Sequence, residues 1–218
     1  MSNLQSYARQ SGLFDPTKQQ AHVEVIGAGS VGSFTTLALA KIGIKDITSW
    51  DNDFIDNHNI PNQFYRLGEV GKPKVTALAS TIKEYENIDI TAKHMRYNGQ
   101  DLKGIVVSAV DSMDARRFIW DCVKSEPVDH YIDTRMGGNL MKIYSLSPKD
   151  KKRGKEYEKA LGGKKELPLR CSERTILYNV LSLAGMSSCL VTKAIKGEET
   201  PFESIFDMKT WGFICSYE

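Results

Sequence analysis

No run of apolar residues in this sequence approaches the roughly 20 that a helix needs to cross a bilayer; the longest are stretches such as Ile105 to Val110. An integral helical membrane protein is therefore not expected. Cysteine is scarce as well. The four present, Cys122, Cys171, Cys189 and Cys215, form no C-x-x-C pair, which argues against both a zinc ribbon and a disulfide framework and leaves reduced thiols as the expected state. The four histidines are isolated and have no ligand spacing, so they suggest neither a metal cluster nor a catalytic triad. The opening MSNLQSYARQSGLFD lacks the basic stretch and apolar core of a secretory signal, and a cytoplasmic location is the expectation. Internal repeats and low-complexity linkers are missing too.

Charge of one sign is also in short supply overall. The net charge is +2, yet residues 149–170 hold nine Lys/Arg against four Asp/Glu, or +5, leaving −3 for the rest. One segment is basic while the protein as a whole is not, so neither a nucleic-acid nor a membrane partner is expected. That segment reads as a surface loop, either simply solvated or a docking surface for an acidic partner.

What is there is enough for a core. With 218 residues, 41% hydrophobic and 26% charged, the chain (1–218) reads as one domain. Residues 22–27 read as a strand running into a glycine turn, and Ser30 to Ile42 as the helix after it. A second strand, Asp46 to Trp50, opens into the polar stretch DNDFIDNHNIPNQF, too irregular for a helix and too long for a tight turn. Helix periodicity returns over Lys72 to Tyr85, followed by an extended segment from Ile88 to His94. Gly104 to Val110 reads as a strand buried on both faces, Ser112 to Lys124 as a helix, and Val128 to Asp133 and Leu140 to Leu146 as strands. Ser172 to Ile195 has the spacing of a long helix ended by Gly197, and residues 201–218 read as extended. The alternation predicts an α/β fold, Rossmann-like and doubly wound, with a mostly parallel sheet and later antiparallel strands.

Gly27-Ala-Gly29-Ser-Val-Gly32 is a G-x-G-x-x-G set between strand and helix. Its glycines permit a tight turn and close backbone approach, and the helix N-terminus offers free N–H groups to a phosphate. Asp51 ends the second strand, where a carboxylate can accept hydrogen bonds from ribose hydroxyls. Taken alone, these two features suit an NAD-dependent oxidoreductase equally well.

The stretches that follow separate the readings. Asp51-Asn-Asp53, Asn59-Ile-Pro-Asn62-Gln63, Gly71-Lys72-Pro73-Lys74 and Asp111-Ser-Met-Asp114-Ala-Arg116, with Tyr7-Ala-Arg9-Gln10 near the N-terminus, together resemble the ThiF/MoeB adenylyltransferases, relatives of ubiquitin-activating enzymes. The family order is D-x-D, N-x-x-R-Q, G-x-x-K and D-x-x-x-x-R after an N-terminal Y-x-R-Q, and the likeness runs from about Tyr7 to at least Lys196. It implies a homodimeric enzyme that activates a carboxylate with ATP and Mg²⁺, the carboxylate being the C-terminal glycine of a ubiquitin-like or sulfur-carrier protein.

By that resemblance, Gly27, Gly29, Gly32, Asp51 and Asp53 belong to the nucleotide site, with Asp51 on the ribose. Asn59 and Gln63 hold the phosphates or the adjoining loop. Lys74 meets the charge that develops during transfer, and Asp111 binds the metal unless it merely caps the helix at Ser112. Arg9 reaches the phosphates, in the family often those of the neighbouring subunit. Cys171, just ahead of the long helix, takes the place of a cysteine used in thioester or persulfide chemistry, or is a packing residue without chemistry. The other three cysteines read as structural, and His58 is the histidine expected near the nucleotide. The chain departs from the pattern at Asn62, which stands where the family has an arginine; Arg66 or Arg135 are the candidates to replace it. The paired zinc cysteines of many relatives are missing as well. The competing readings are an NAD-dependent oxidoreductase, which leaves Lys74, Asn59 and the Arg9 segment without a role, and a nucleotide-binding partner that lacks catalysis.

Overall fold

A computed structural model describes residues 7–162 and 175–217. Two βα units open the chain: β1 (Val23–Ile26), α1 (Ser30–Ile42), β2 (Ile47–Trp50), α2 (Lys74–Glu86) and β3 (Thr91–Lys93). They are followed by β4 (Gly104–Ser108), α3 (Met113–Val123), β5 (Val128–Gly137), β6 (Leu140–Leu146), α4 (Lys151–Gly162), α5 (Leu177–Ile195), β7 (Glu203–Asp207) and β8 (Gly212–Ser216).

The strands form one sheet in the order β3-β2-β1-β4-β5-β6-β7-β8. From β3 to β5 the pairing is parallel, and β5 through β8 pair antiparallel. Strand order reverses between β1 and β4, so a crevice opens at their carboxyl ends, the place where ligands bind in open α/β sheets.

Alternation along β4 divides the core. Ile105 and Val107 face a cluster completed by Leu39 of α1, Leu78 and Ile82 of α2 and Leu183 and Val191 of α5. Val106 faces the other cluster, with Ile119 and Trp120 of α3 and Tyr157 and Leu161 of α4. Helices therefore cover both faces, which is why β4 carries no polar residue before Ser108.

The doubly wound sheet with later antiparallel strands is as expected, and two local expectations need correction. The basic segment is not a loop over its first half: residues 151–162 are α4, started by Asp150, whose carboxylate accepts from the Lys152 and Arg153 N–H groups at 3.0 and 3.1 Å. Gly154, Tyr157 and Leu161 form its buried stripe, a helical spacing hidden by the charge around it. The tail is extended as expected, and it folds as a hairpin, β7–β8, that adds two strands to the sheet. Of the cysteines read as structural, Cys122 is half-buried, but Cys189 and Cys215 are exposed.

Candidate functional site

The glycine turn is closed by contacts that only glycine allows. Gly27 has φ +98°, and a Cβ there would lie 2.6 Å from the Ala109 carbonyl oxygen at the end of β4; a Cβ on Gly32 would lie 1.8 Å from the Gly27 oxygen. These two glycines hold β1, β4 and α1 together. Gly29 is different: nothing lies within 4 Å of where its Cβ would be, so its side faces open space. No side chain caps the N-terminus of α1. Its first-turn N–H groups therefore face the crevice ready for an anion.

Asp51 organises the loop behind the turn. One carboxylate oxygen accepts from Ala28 N–H at 2.7 Å and the other from Asp53 N–H at 2.8 Å. The residue expected to take a ribose thus also fixes the turn, with one lone pair left on each oxygen. Asp53 in turn reaches Lys74 at the start of α2: Lys74 Nζ lies 2.9 Å from Asp53 Oδ2, and the Lys74 N–H donates to the Asp53 carbonyl at 3.0 Å. The D-x-D and G-x-x-K stretches are therefore brought together.

Asn59 and Gln63 build the loop that leans on this platform. The Asn59 side chain accepts from Asp56 N–H at 2.9 Å, and its own carbonyl accepts from the Asn62 and Gln63 N–H groups at 3.1 and 2.9 Å. Asn59 is buried, consistent with a loop-holding role. Gln63 Oε1 is buried with no hydrogen-bond partner among the described residues. His58 is exposed and lies 3.3 Å from Asp56.

Tyr65, which the sequence reading passed over, completes the contact. Its hydroxyl donates to the Ala28 carbonyl at 2.6 Å. Burial first, and then the Asp51 charge, push its pKa well up, so it stays a donor. An aromatic residue closing a polar loop was the available signal.

Asp111 follows β4 at the same carboxyl edge. It is exposed and makes no hydrogen bond or ion pair among the described residues. The helix cap is Ser112, whose side chain accepts from Ala115 N–H at 3.0 Å, so capping does not occupy Asp111. Arg116, the last residue of that motif, is buried. It pairs with Asp133 on β5 and donates to the Val110 carbonyl.

Asp133 is fully buried and also accepts from Arg135 Nε at 2.7 Å and Tyr157 OH at 2.8 Å. The Arg135 guanidinium stacks 4.7 Å from the Tyr144 ring. Of the two cations considered as substitutes at Asn62, Arg66 is turned away by its 2.5 Å contact with Glu84 near the far end of α2. Arg135 stays at the carboxyl edge, where β5 runs past the end of β4.

Arg9 is not brought to this site within one chain. Tyr7 packs on Gly43, and Gln10 donates to the Ile42 carbonyl at 2.7 Å; both lie at the C-terminal end of α1. The glycine turn is at the other end, about 20 Å away for a helix of this length. Cys171 lies outside the described residues, as does the second half of the basic segment. Among the described residues no group of three or more His, Cys, Asp or Glu could hold a metal ion, and no helix is long and apolar enough to cross a membrane.

Comparison with known proteins agrees with this fold. The ThiF family model matches residues 7–213. Among curated proteins, the chain is 30% identical over 115 residues to the NEDD8-activating enzyme E1 catalytic subunit of Arabidopsis thaliana, covering 50% of the chain and 25% of that protein. It is 35% identical over 92 residues to the tRNA threonylcarbamoyladenosine dehydratase of Haemophilus influenzae, covering 38% of the chain and 35% of that protein. The chain thus spans a quarter to about a third of the length of these relatives. Its fold is that of the E. coli MccB structure with AMPCPP and selenomethionine MccA, at a TM-score of 0.70 and 18% identity over 90% of this chain and 63% of the other. The PaaA structure matches at 0.71 and 19%, over 91% and 64%.

Proposed function

Because the chain belongs to the ThiF family, we propose that it is an ATP-dependent adenylyltransferase that activates a carboxylate. The observation that carries this reading is the buried Lys74 ammonium held at 2.9 Å by Asp53 beside the uncapped N-terminus of α1. Family membership does not favour the oxidoreductase reading.

In the proposed reaction a carboxylate oxygen bonds to the α-phosphorus of ATP, the bond from that phosphorus to the bridging oxygen breaks, and pyrophosphate leaves with its electron pair. The products are an acyl adenylate and pyrophosphate. The α1 N–H groups and Lys74 are aimed at oxygens on which negative charge grows, and such preset donors lower the barrier more than they tighten binding. Asp51 is the acceptor for the ribose hydroxyls and holds the turn at the same time.

Asp111 fits a magnesium ion. Mg²⁺ binds through one or two carboxylates plus substrate phosphates rather than an all-protein cage, and an exposed carboxylate at the crevice edge, unpaired among the described residues, is that kind of donor. The ion, when bound, supplies charge neutralisation to the phosphates.

The activated carboxylate is proposed to be the C-terminal glycine of a ubiquitin-like or sulfur-carrier protein, a reading supported by the kind of relatives the chain has. The structural likeness to MccB, whose structure is titled with MccA, makes a peptide terminus the variant to test beside it. The test is ATP–pyrophosphate exchange in the presence of Mg²⁺ and a panel of such C-terminal carboxylates. ATP binding without exchange, for every member of the panel, would select the non-catalytic reading that Asn62 suggests.

A further inference from the structure

Three successive backbone N–H groups line the glycine turn, and two of them are already bonded. Gly27 N–H donates to the Trp50 carbonyl at 2.8 Å and Ala28 N–H to Asp51 Oδ2 at 2.7 Å. Gly29 N–H donates to no group among the described residues, and nothing lies within 4 Å of where a Gly29 Cβ would be.

The direction of that N–H is set by the carbonyl before it. In a trans peptide the C=O and the N–H point opposite ways, so the Ala28 carbonyl and the Gly29 N–H are two ends of one rigid unit. The carbonyl end is turned inward: Ala28 is fully buried, and its oxygen accepts from the Tyr65 hydroxyl at 2.6 Å. The N–H end is therefore turned outward, toward the crevice.

We infer that Tyr65 is a positioning residue for phosphate binding: its hydroxyl holds the Ala28 carbonyl inside and so keeps the Gly29 N–H aimed at the phosphates of the nucleotide. The inference rests on the nucleotide site of the adenylation reading, and it adds a side chain that itself touches no substrate. Tyr65 reaches the turn across 37 residues, from the segment that carries Asn62 and Gln63. Its ring is fixed, being buried in the core cluster that includes Ile55, Val75 and Leu78. A separate strap, Phe64 N–H to Ser33 Oγ at 3.0 Å, ties the same segment to the first turn of α1.

What the hydroxyl holds off is a rotation that glycine permits. Without it the Ala28 carbonyl is a buried acceptor lacking its partner, a costly state that favours rearrangement. Turning the Ala28–Gly29 peptide over brings the oxygen to water in the crevice and changes chiefly ψ of Ala28 and φ of Gly29. Gly29 sits at φ −76°, and with no Cβ it also takes the positive φ of the turned peptide. That state presents a carbonyl oxygen where a phosphate oxygen has to bind, so it repels the nucleotide.

Tyr65→Phe removes the hydroxyl and keeps the ring, while Ser33→Ala removes the separate strap and leaves the Ala28 carbonyl bonded. The test measures dissociation constants for ATP and for adenosine, which has no phosphate, by calorimetry, together with ATP–pyrophosphate exchange and thermal melting. In Tyr65→Phe the competent turn becomes a minority state, so ATP binding is expected to weaken about 10-fold while adenosine binding stays as in wild type. The KM for ATP in exchange should rise by the same factor, with the rate at saturating ATP largely kept, because bound nucleotide draws the turn back. Ser33→Ala is expected to lower the melting temperature and leave the ratio of the two dissociation constants unchanged. Equal weakening of ATP and adenosine in Tyr65→Phe would make Tyr65 a packing residue and overturn the inference. So would a lower exchange rate with an unchanged KM, or a loss of the ratio in Ser33→Ala as large as in Tyr65→Phe. If wild type and Tyr65→Phe differ in ATP affinity as expected but neither exchanges, the inference stands and the proposed activity falls. Robust exchange with equal ATP affinity in the two proteins does the reverse.

Discussion

Lys74 and Asp53 form an ion pair with one partner buried and the other in water: the side chains are 7% and 59% exposed across 2.9 Å. An exposed carboxylate can swing away as phosphate oxygens arrive, while the ammonium stays where α2 holds it. Lys74→Ala is therefore expected to reduce ATP–pyrophosphate exchange by about 10²–10³, since the cation meets charge that develops mainly in the transition state. Full exchange in the variant would move the site elsewhere.

Asp111→Asn separates metal binding from folding. The side chain is exposed and unpaired among the described residues, so thermal stability should stay within about 0.5 kcal/mol of wild type. The Mg²⁺ concentration for half-maximal exchange should rise, because a hard anionic oxygen has become a neutral one. An unchanged Mg²⁺ requirement would remove Asp111 from the metal site.

The glycine turn and the position of Asp51 were legible in the sequence because local spacing fixes them, whereas Lys74 and Asp111 were singled out only by the resemblance. A turn between β1 and α1 needs Gly27 and Gly32 wherever α1 packs so closely, and a carboxylate ending β2 sits beside that turn by topology. The buried cluster around Asp133 was not legible. It joins Arg116 of α3 and Tyr157 of α4 to β5 across 17 and 24 residues, and nothing local marks an Asp inside a strand as their meeting point. Helix α4 was missed for a related reason, its stripe of Gly154, Tyr157 and Leu161 being diluted by lysines that only the packed structure turns outward.

Asp133→Asn is expected to be the most destabilising of the substitutions considered. It leaves the Arg116 and Arg135 guanidiniums without their shared buried counter-charge, and breaking a buried pair costs about 3–5 kcal/mol. Urea unfolding measures this directly. A loss under 1 kcal/mol would mean that water or another group already compensates the two arginines.

Arg9 tests whether a second copy completes the site. Arg9→Ala and Lys74→Ala proteins should each be nearly inactive alone. Co-expressed with separate tags and isolated as verified heterodimers, they should regain exchange, since one of the two sites then has both its own Lys74 and an intact Arg9 from the other copy. Heterodimers without activity would refute action in trans.

His130 gives the fold an acid limb of its own. Burial first, and then the Arg153 charge, lower its pKa from the usual 6.5 to about 4, while its Nε2 lies 2.7 Å from Ser145 Oγ. The folded state therefore holds the ring neutral where the unfolded chain takes up a proton. Between about pH 6.5 and pH 4 the unfolded state binds more protons, so stability is fully present above 6.5 and falls as the pH drops through this window. The loss is complete below about pH 4, where both states are protonated. Its ceiling is up to about 3 kcal/mol, less whatever solvent screening the half-buried ring retains. Denaturant midpoints measured from pH 7.5 to 4.5 should decline for wild type and be flatter for His130→Gln, which keeps a hydrogen-bonding group but cannot titrate. Parallel curves for the two proteins would assign the acid limb to other groups, the buried ion cluster of Asp133 first among them.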